Sequence, residues 1–219
     1  MAELSEPIRV LGVLAGADMP PEQLKQWIDS ADVVLAADGG ADRLLAVNFV
    51  PKTTLGDLDS ISPAASQAQN RLIRDDDQNS TDCDKLLAFA ESEGYGAITL
   101  AGVEGDLLDH VIGTIHSAAK SPLIVRLALR RGIGMFFQGP SEHRVKAVLQ
   151  GRISVIPLEP CEGVSLSGTR WPLENAVLEP FGLTSLSNVS EGSEIVLKIR
   201  SGRAFVFAET NRDPIWGRP

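Results

Sequence analysis

The sequence predicts an α/β fold in two parts: an N-terminal α/β domain with a mainly parallel sheet over residues 1–140, and a C-terminal β-sandwich domain over residues 141–219. The first half alternates short apolar runs with helix-like segments, the pattern left by parallel strands that need crossover connections. From about Met135 the helical period fades, and short apolar runs recur between glycine-containing turns. A chain of 219 residues, 43% hydrophobic and 22% charged, is long enough and ordinary enough in composition to bury a sizeable core.

Ile8 to Leu14 reads as a buried first strand running into a glycine turn. Pro20-Pro21 then opens a helix over Glu22 to Ser30, since proline is tolerated in a first helical turn. Val33 to Ala37 has the continuous apolar character of a fully buried strand and ends in Asp38-Gly39-Gly40-Ala41-Asp42. A helix from about Ala41 to Val47 follows, then a short strand at Thr53 to Leu55 that leads to Gly56-Asp57-Leu58-Asp59-Ser60. Asp82 to Ser92 is helical in pattern, and Ala97 to Ala101 is a strand opening into the loop Gly102-Val103-Glu104-Gly105-Asp106. A helix over Leu108 to Ala119 and a strand over Leu123 to Leu127 complete the first domain.

The change of character falls near residues 138 to 145. Beyond it, Arg144 to Val148, Arg152 to Ile156, Gly163 to Leu166, Ile195 to Ile199 and Arg203 to Phe207 read as strands. Gly151, Gly168, Gly192 and Gly202 lie in the turns between them. Thr210 to Pro219 reads as an exposed tail in which Trp216 is a candidate for packing.

A formal net charge of −9 argues against a nucleic-acid surface, which needs concentrated Lys and Arg. It leaves a nucleotide substrate open, because a metal ion can neutralise phosphate locally. No apolar stretch approaches membrane-spanning length, and the N-terminus lacks a signal-like pattern, so a cytoplasmic protein with neither membrane nor nucleic-acid partner is expected. Cys83 and Cys161 lie in different regions and supply no disulfide framework or zinc pattern; structural or incidental roles are expected for both.

The chemistry gathers in loops. Asp57 and Asp59 alternate along an extended segment, so both can point to one side, and Asp82 with Asp84 forms a second acidic pair 25 residues further on. Together they suit Mg²⁺ holding a polyphosphate, because the ion takes hard oxygen ligands from protein and substrate. Both pairs also fit ordinary solvated turns, and Asp82 a helix start. Asp38, Asp57 and Gly102 to Asp109 all follow strands, where loops of a parallel sheet converge on a ligand crevice. Asp38-Gly39-Gly40 reads equally as a tight turn and helix cap, Asp42 as a first-turn charge, and Asp75-Asp76-Asp77 as a solvated run. In a helix Asp84 faces away from Asp82. Asp109-His110 could position a substrate, while His116 reads as structural or exposed. The chain has no phosphate-binding P-loop, no His-x-x-x-His zinc pair and no Gly-x-Ser-x-Gly elbow. In the second domain Trp171 could cover a flat cationic ligand or fill a core or interface, and Ser187-Asn188 lies nearby in sequence.

In this order the motifs resemble the thiamine pyrophosphokinase (thiamine diphosphokinase) family. The matching segments are Asp38-Gly39-Gly40-Ala41, Gly56-Asp57-Leu58-Asp59-Ser60 and Asp77-Gln78-Asn79-Ser80-Thr81-Asp82. They continue through Gly102-Val103-Glu104-Gly105, Asp109-His110, Gly168-Thr169-Arg170-Trp171-Pro172-Leu173 and Ser187-Asn188. The resemblance implies a homodimer that transfers a diphosphoryl group from ATP to thiamine with Mg²⁺, at active sites shared between subunits. It further implies that Asp57, Asp59 and Asp82 organise Mg²⁺ and the phosphates, and that Asp38, Gly39 and Gly40 shape the crevice. Gly102 and Gly105 would approach the nucleotide, and Asp109 and His110 would close the helical side. Trp171, Ser187 and Asn188 would come from the partner subunit to bind thiamine. The chain departs from the family where Leu107 stands for the usual Arg, Asp106 for a Gly and Thr114 for an Asn; Leu cannot supply an arginine's multidentate phosphate contacts. Arg126, Arg130 and Arg131 are candidates to compensate. A diphosphokinase for another small alcohol, or a non-catalytic thiamine or nucleotide binder, are the alternatives.

Overall fold

The computed structural model describes residues 7–211, 214 and 216, which divide into two compact units, Met1–Arg130 and Arg131–Pro219. The first is a parallel α/β layer structure. Its strands are β1 (Val10–Val13), β2 (Val33–Ala37), β3 (Thr53–Gly56), β4 (Leu72–Arg74), β5 (Ala97–Ala101) and β6 (Ile124–Leu129). They lie in the order β6-β5-β1-β2-β3-β4, every pair parallel. The crossovers carry α1 (Pro21–Ser30), α2 (Gly40–Leu45), α3 (Pro63–Ala68), α4 (Asp82–Ser92) and α5 (Leu108–Lys120).

Helices cover the sheet, so its central strands bury nearly every residue: all four of β1, and the last four of β2 and β5. Leu11, Leu35, Leu44, Leu86, Ile98, Leu100 and Leu127 are almost fully buried, each stabilising the fold by roughly 1.5–3 kcal/mol. Gly12 lets α4 sit close on β1, since a Cβ there would lie 2.8 Å from a Leu86 methyl. The apolar face of α1 buries Leu24, Trp27 and Ile28.

Two short elements escape the sequence pattern. Helix α3 has no apolar stripe; it exists because Ser62 caps it, accepting the Ala65 N–H at 3.1 Å, with Pro63 in its first turn. Edge strand β4 has three residues, two of them exposed, too few to show alternation. By contrast α4 begins where the sequence places it. Thr81 accepts the Asp84 N–H and Asp84 accepts the Thr81 N–H, a reciprocal capping box. Thr81→Ala is expected to cost about 1 kcal/mol, read as a lower urea midpoint at unchanged slope.

The second unit contains strands only: β7 (Gly132–Gln138), β8 (Ser141–Lys146), β9 (Arg152–Pro157), β10 (Cys161–Ser167), β11 (Leu173–Leu178), β12 (Ser185–Val189), β13 (Glu194–Ile199) and β14 (Arg203–Glu209). Two antiparallel layers, β12-β9-β14-β7 and β11-β10-β13-β8, share one core that includes Met135, Phe137, Val155, Val206, Val164, Leu166, Ile195 and Leu197. This is the expected sandwich. The division falls at Arg130/Arg131 because β7 pairs along its whole length with β14, from Gln138↔Arg203 to Gly132↔Glu209. Strands β11 and β12 were not legible as strands: both are edges with register shifts, and β11 is largely exposed. In the tail, Trp216 is half-buried, and residues 212, 213, 215 and 217–219 lie outside the described set. Among the described residues no helix is long and apolar enough to cross a membrane.

Candidate active site

In the first unit the direction of winding reverses between β1 and β5, and the loops leaving their carboxyl ends must part to form a crevice. These loops first run together: the Leu14 N–H donates to Ala101 O at 2.9 Å, Gly16 to Gly102 O at 2.7 Å and Asp18 to Glu104 O at 3.1 Å. So close an approach needs glycine. At Gly102 (φ +71°) a Cβ would lie 2.2 Å from Leu14 O, and at Gly105 (φ +85°) 2.5 Å from the Asp18 nitrogen. A cleft of ≈ 330 Å³ opens there, lined by the ends of β1 and β5, the segment Asp77–Lys85, Asp57 and the start of α5.

Asp38 ends β2 in the left-handed region (φ 38°) and is 1% exposed. One carboxylate oxygen, Oδ2, accepts the Ser60 N–H at 3.2 Å, whereas Oδ1 is buried without a hydrogen-bond partner. Burial raises its pKa to about 6; the Ser60 N–H opposes this, and the charges of Asp82, Asp57 and Asp59 add to it. Half-buried Asp57 is held below the usual carboxylate range, first by the Asp59 N–H and then by Gln78, so it is ionised at neutral pH. Oxygens of Asp38, Asp57 and Asp59 all lie within 4.8 Å of one another. Gly56 (φ +148°) separates Asp38 from Asp82: a Cβ there would be 3.1 Å from Asp38 Cβ and 3.3 Å from Asp82 Oδ1.

Asp82 occupies the first turn of α4 and lines the cleft. Burial raises its pKa, Lys85 opposes, and Asp57 and Asp59 add to the rise. Lys85, one turn on, also faces the cleft; its side chain is only 3% exposed and its Nζ is 4.0 Å from Asp82 Oδ1. The sequence reading missed Lys85. Its signal was a cation three residues after Asp82, on the face that α4 otherwise buries with Leu86. Asp84 points elsewhere. Despite burial, its pKa is held to about 2 by Lys120 at 2.9 Å and by bonds from Thr81 and Ser117, which makes it a helix-capping charge. Burial, chiefly, pushes the Cys83 thiol up to about 12, consistent with a structural role.

At the start of α5, Asp109 and His110 line the cleft, and His110 Nδ1 lies 3.3 Å from Asp106 Oδ2. Asp106 also accepts the Leu107 N–H at 2.7 Å, so the residue that stands for a glycine ties down the loop. Leu107 is 64% exposed and does not line the cleft. None of the three arginines considered as substitutes lines the cleft: Arg126 is buried in β6, Arg130 pairs with Asp18 at 3.9 Å and Arg131 with Glu209 at 2.7 Å. Thr114 is buried at the cleft wall. Gly39 and Gly40 do not line the cleft; Gly40 lets α2 start against β1, where a Cβ would meet Val13 O at 2.0 Å. Asp42 accepts bonds from the Ser62 N–H and hydroxyl, tying α2 to α3.

In the second unit Trp171 is 57% exposed, so it does not fill the core. Its backbone is clamped by Asn188, which accepts the Trp171 N–H at 3.1 Å and donates to Trp171 O at 2.6 Å. Asn188 is 2% exposed, so it holds the tryptophan loop from beneath. Ser187 is exposed at φ 55°, its N–H bonded to Ser154 Oγ at 3.0 Å. The Arg170 guanidinium lies 5.6 Å from the Trp171 ring centroid, so the ring already carries a cation–π partner.

Two family models match the chain: "Thiamin pyrophosphokinase, catalytic domain" over residues 24–126 and "Thiamin pyrophosphokinase, vitamin B1 binding domain" over residues 142–204. Thiamine pyrophosphokinase 1 of Oryza sativa subsp. japonica is 27% identical over 195 residues, covering 74% of each chain. Thiamine pyrophosphokinase of Bacillus subtilis is 24% identical over 196 residues, covering 83% of this chain and 89% of that one. The Bacillus subtilis crystal structure superposes with a TM-score of 0.79 at 22% identity, over 93% of this chain and 100% of that one. The thiamin pyrophosphokinase of Candida albicans gives 0.79 at 15%, over 94% and 90%. At those identities the structures establish the fold.

Proposed function

Because the chain belongs to the thiamin pyrophosphokinase family, we propose that its cleft transfers the diphosphoryl group of ATP to thiamine, giving thiamine diphosphate and AMP. The observation that carries this reading is the meeting of Asp57, Asp82, Lys85, Asp109 and His110 on one cleft at the switch point of a parallel sheet. The first unit is then the nucleotide-binding catalytic domain and the second the thiamine-binding and dimerisation domain.

The thiamine hydroxyl attacks the β-phosphorus in line, its oxygen bonding there as the bond to the AMP oxygen breaks, while its proton passes to a cleft carboxylate such as Asp82 and on to solvent. Such transfers need positioning and charge stabilisation more than covalent chemistry from the protein. Asp57 and Asp59 would hold Mg²⁺, and Asp82 faces the same space from α4; the orphaned Oδ1 of Asp38 beside them fits a cation-binding role. When bound, Mg²⁺ would neutralise charge on the phosphate oxygens. Lys85 offers the phosphates a buried ammonium on the cleft wall. Asp106 orients His110 at the cleft edge.

Trp171, with Ser187 and the Asn188 clamp, would receive the cationic thiamine ring in a homodimer whose sites are shared between subunits. Two buried free thiols and a requirement for ATP support a cytoplasmic setting. Trp171→Ala is expected to raise the KM for thiamine about tenfold, the scale of a desolvated cation–π contact, with the KM for ATP nearly unchanged. Dissociation of the dimer without a thiamine-selective effect would contradict the assignment. The function itself is tested by AMP release from ATP and Mg²⁺ with thiamine and with other small primary alcohols. Release confined to thiamine supports it; equal or faster release with another alcohol overturns it.

A further inference from the structure

We propose that Arg170 sets how tightly the Trp171 ring takes an organic cation: its guanidinium is a resident competitor that a cationic ligand must displace or bind against. The inference rests on the thiamine site proposed above and deepens it, because it assigns part of that site's selectivity to a charge beside the ring.

Arg170 is fixed beside the ring at both ends. Its backbone N–H donates to Val189 O at 2.8 Å, on the strand whose Asn188 clamps Trp171. Its guanidinium carbon lies 5.6 Å from the ring centroid, and Nη2 donates to Gln150 Oε1 at 2.8 Å. Gln150 belongs to the turn between β8 and β9 (φ 62°), and its N–H donates to Ser190 O at 3.0 Å. Ser190 is fully buried and bridges to Thr169, so the turn carrying the anchor and the loop carrying the ring share one fixed point.

The anchor is neutral, and that decides the effect. Arg144 and Arg200 of the same unit pair with Glu194 at 2.7 Å and with Glu162 at 3.1 Å. Arg170 has an amide oxygen in that place, and among the described residues no carboxylate forms an ion pair with it. Its charge therefore stands uncompensated at a ring that is 57% exposed and would otherwise attract a cation from solvent. A cation arriving on the face that Arg170 covers must displace the guanidinium. One arriving on the opposite face meets a like charge across the ring. Either route weakens the hold on a cation, whereas a neutral ligand meets no repulsion.

The rival is a structural arginine whose stem packs on Trp171 and orders its loop, so that losing it loosens the ring and weakens every ligand. Arg170→Leu keeps an apolar stem and removes the charge. It is expected to lower the KM for thiamine about threefold, the scale of an exposed cation–π contact, with kcat and the KM for ATP moving less. Arg170→Lys keeps the charge and should lie nearer to wild type than to Arg170→Leu. A second readout needs no turnover: quenching of Trp171 fluorescence by N-methylpyridinium, a cation, and by neutral acrylamide. Trp171→Phe supplies the background from buried Trp27 and half-buried Trp216. The ratio of the two quenching constants should rise about threefold in Arg170→Leu and much less in Arg170→Lys. An unchanged ratio, or a thiamine KM unchanged or raised in folded Arg170→Leu, would overturn the inference. A protein that makes thiamine diphosphate but shows an unchanged ratio sinks this inference alone. One whose ratio rises but which does not use thiamine sinks the function and leaves the role of Arg170 standing.

Discussion

Asp57→Asn is expected to lower kcat for thiamine diphosphate formation by about a hundredfold or more, the scale on which single electrostatic groups act in a preorganised site. Asp57 is half-buried at the cleft, and the Asp59 N–H and Gln78 keep it ionised at neutral pH. Replacing it with an isosteric amide removes a negative oxygen from the set facing the phosphates while leaving the Gly56 turn and the strands in place. The loss should therefore appear in kcat, with thiamine KM little changed and the far-ultraviolet circular dichroism spectrum unaltered. A kcat within threefold of wild type would remove Asp57 from the machinery.

Lys85→Met should lower kcat/KM for ATP by about a hundredfold, as expected when a buried, charge-assisted contact worth about 1.5–3 kcal/mol is lost. Lys85 is the one buried lysine lining the cleft among the described residues, and its ammonium stands 4.0 Å from Asp82. Removing it also strands the half-exposed Asp82 carboxylate, so some loss of stability will accompany the kinetic effect. Asp82→Asn combined with Lys85→Met isolates the two: the double variant should recover stability, yet use ATP less well than Asp82→Asn alone. If the double variant and Asp82→Asn use ATP equally well, Lys85 serves only to pair Asp82.

Much of the fold was legible because its elements carry redundant signals. Strand β2 is continuous apolar sequence, α4 has a capping box, and β13 alternates buried and exposed residues. What was not legible lies at edges. Strands β4, β11 and β12 bury too little of either face to impose a period, and α3 depends on a single serine cap. The division of the chain was read near residue 140 rather than at Arg130/Arg131 because the glycines of β7 hide a strand whose partner, β14, is some 70 residues away, as in Phe137↔Ala204.

Within the candidate site, acidic loops after strands were readable from order alone, because parallel topology sends such loops to one edge. Their division of labour was not. Which glycines touch the cleft depends on packing: Gly102 lines it, whereas Gly40 lets α2 pack on β1. Asn188 reads as a ligand contact in sequence and proves to be the buried clamp of the Trp171 loop. Lys85 could have been found by asking why a helix buries a cation, a question that needs burial to be known.

The most direct test is ³¹P NMR of the wild-type protein turning over ATP and thiamine in Mg²⁺. The account predicts AMP and thiamine diphosphate appearing in equal amounts as ATP disappears. Formation of ADP with thiamine monophosphate, or ATP left intact beside thiamine, would contradict it.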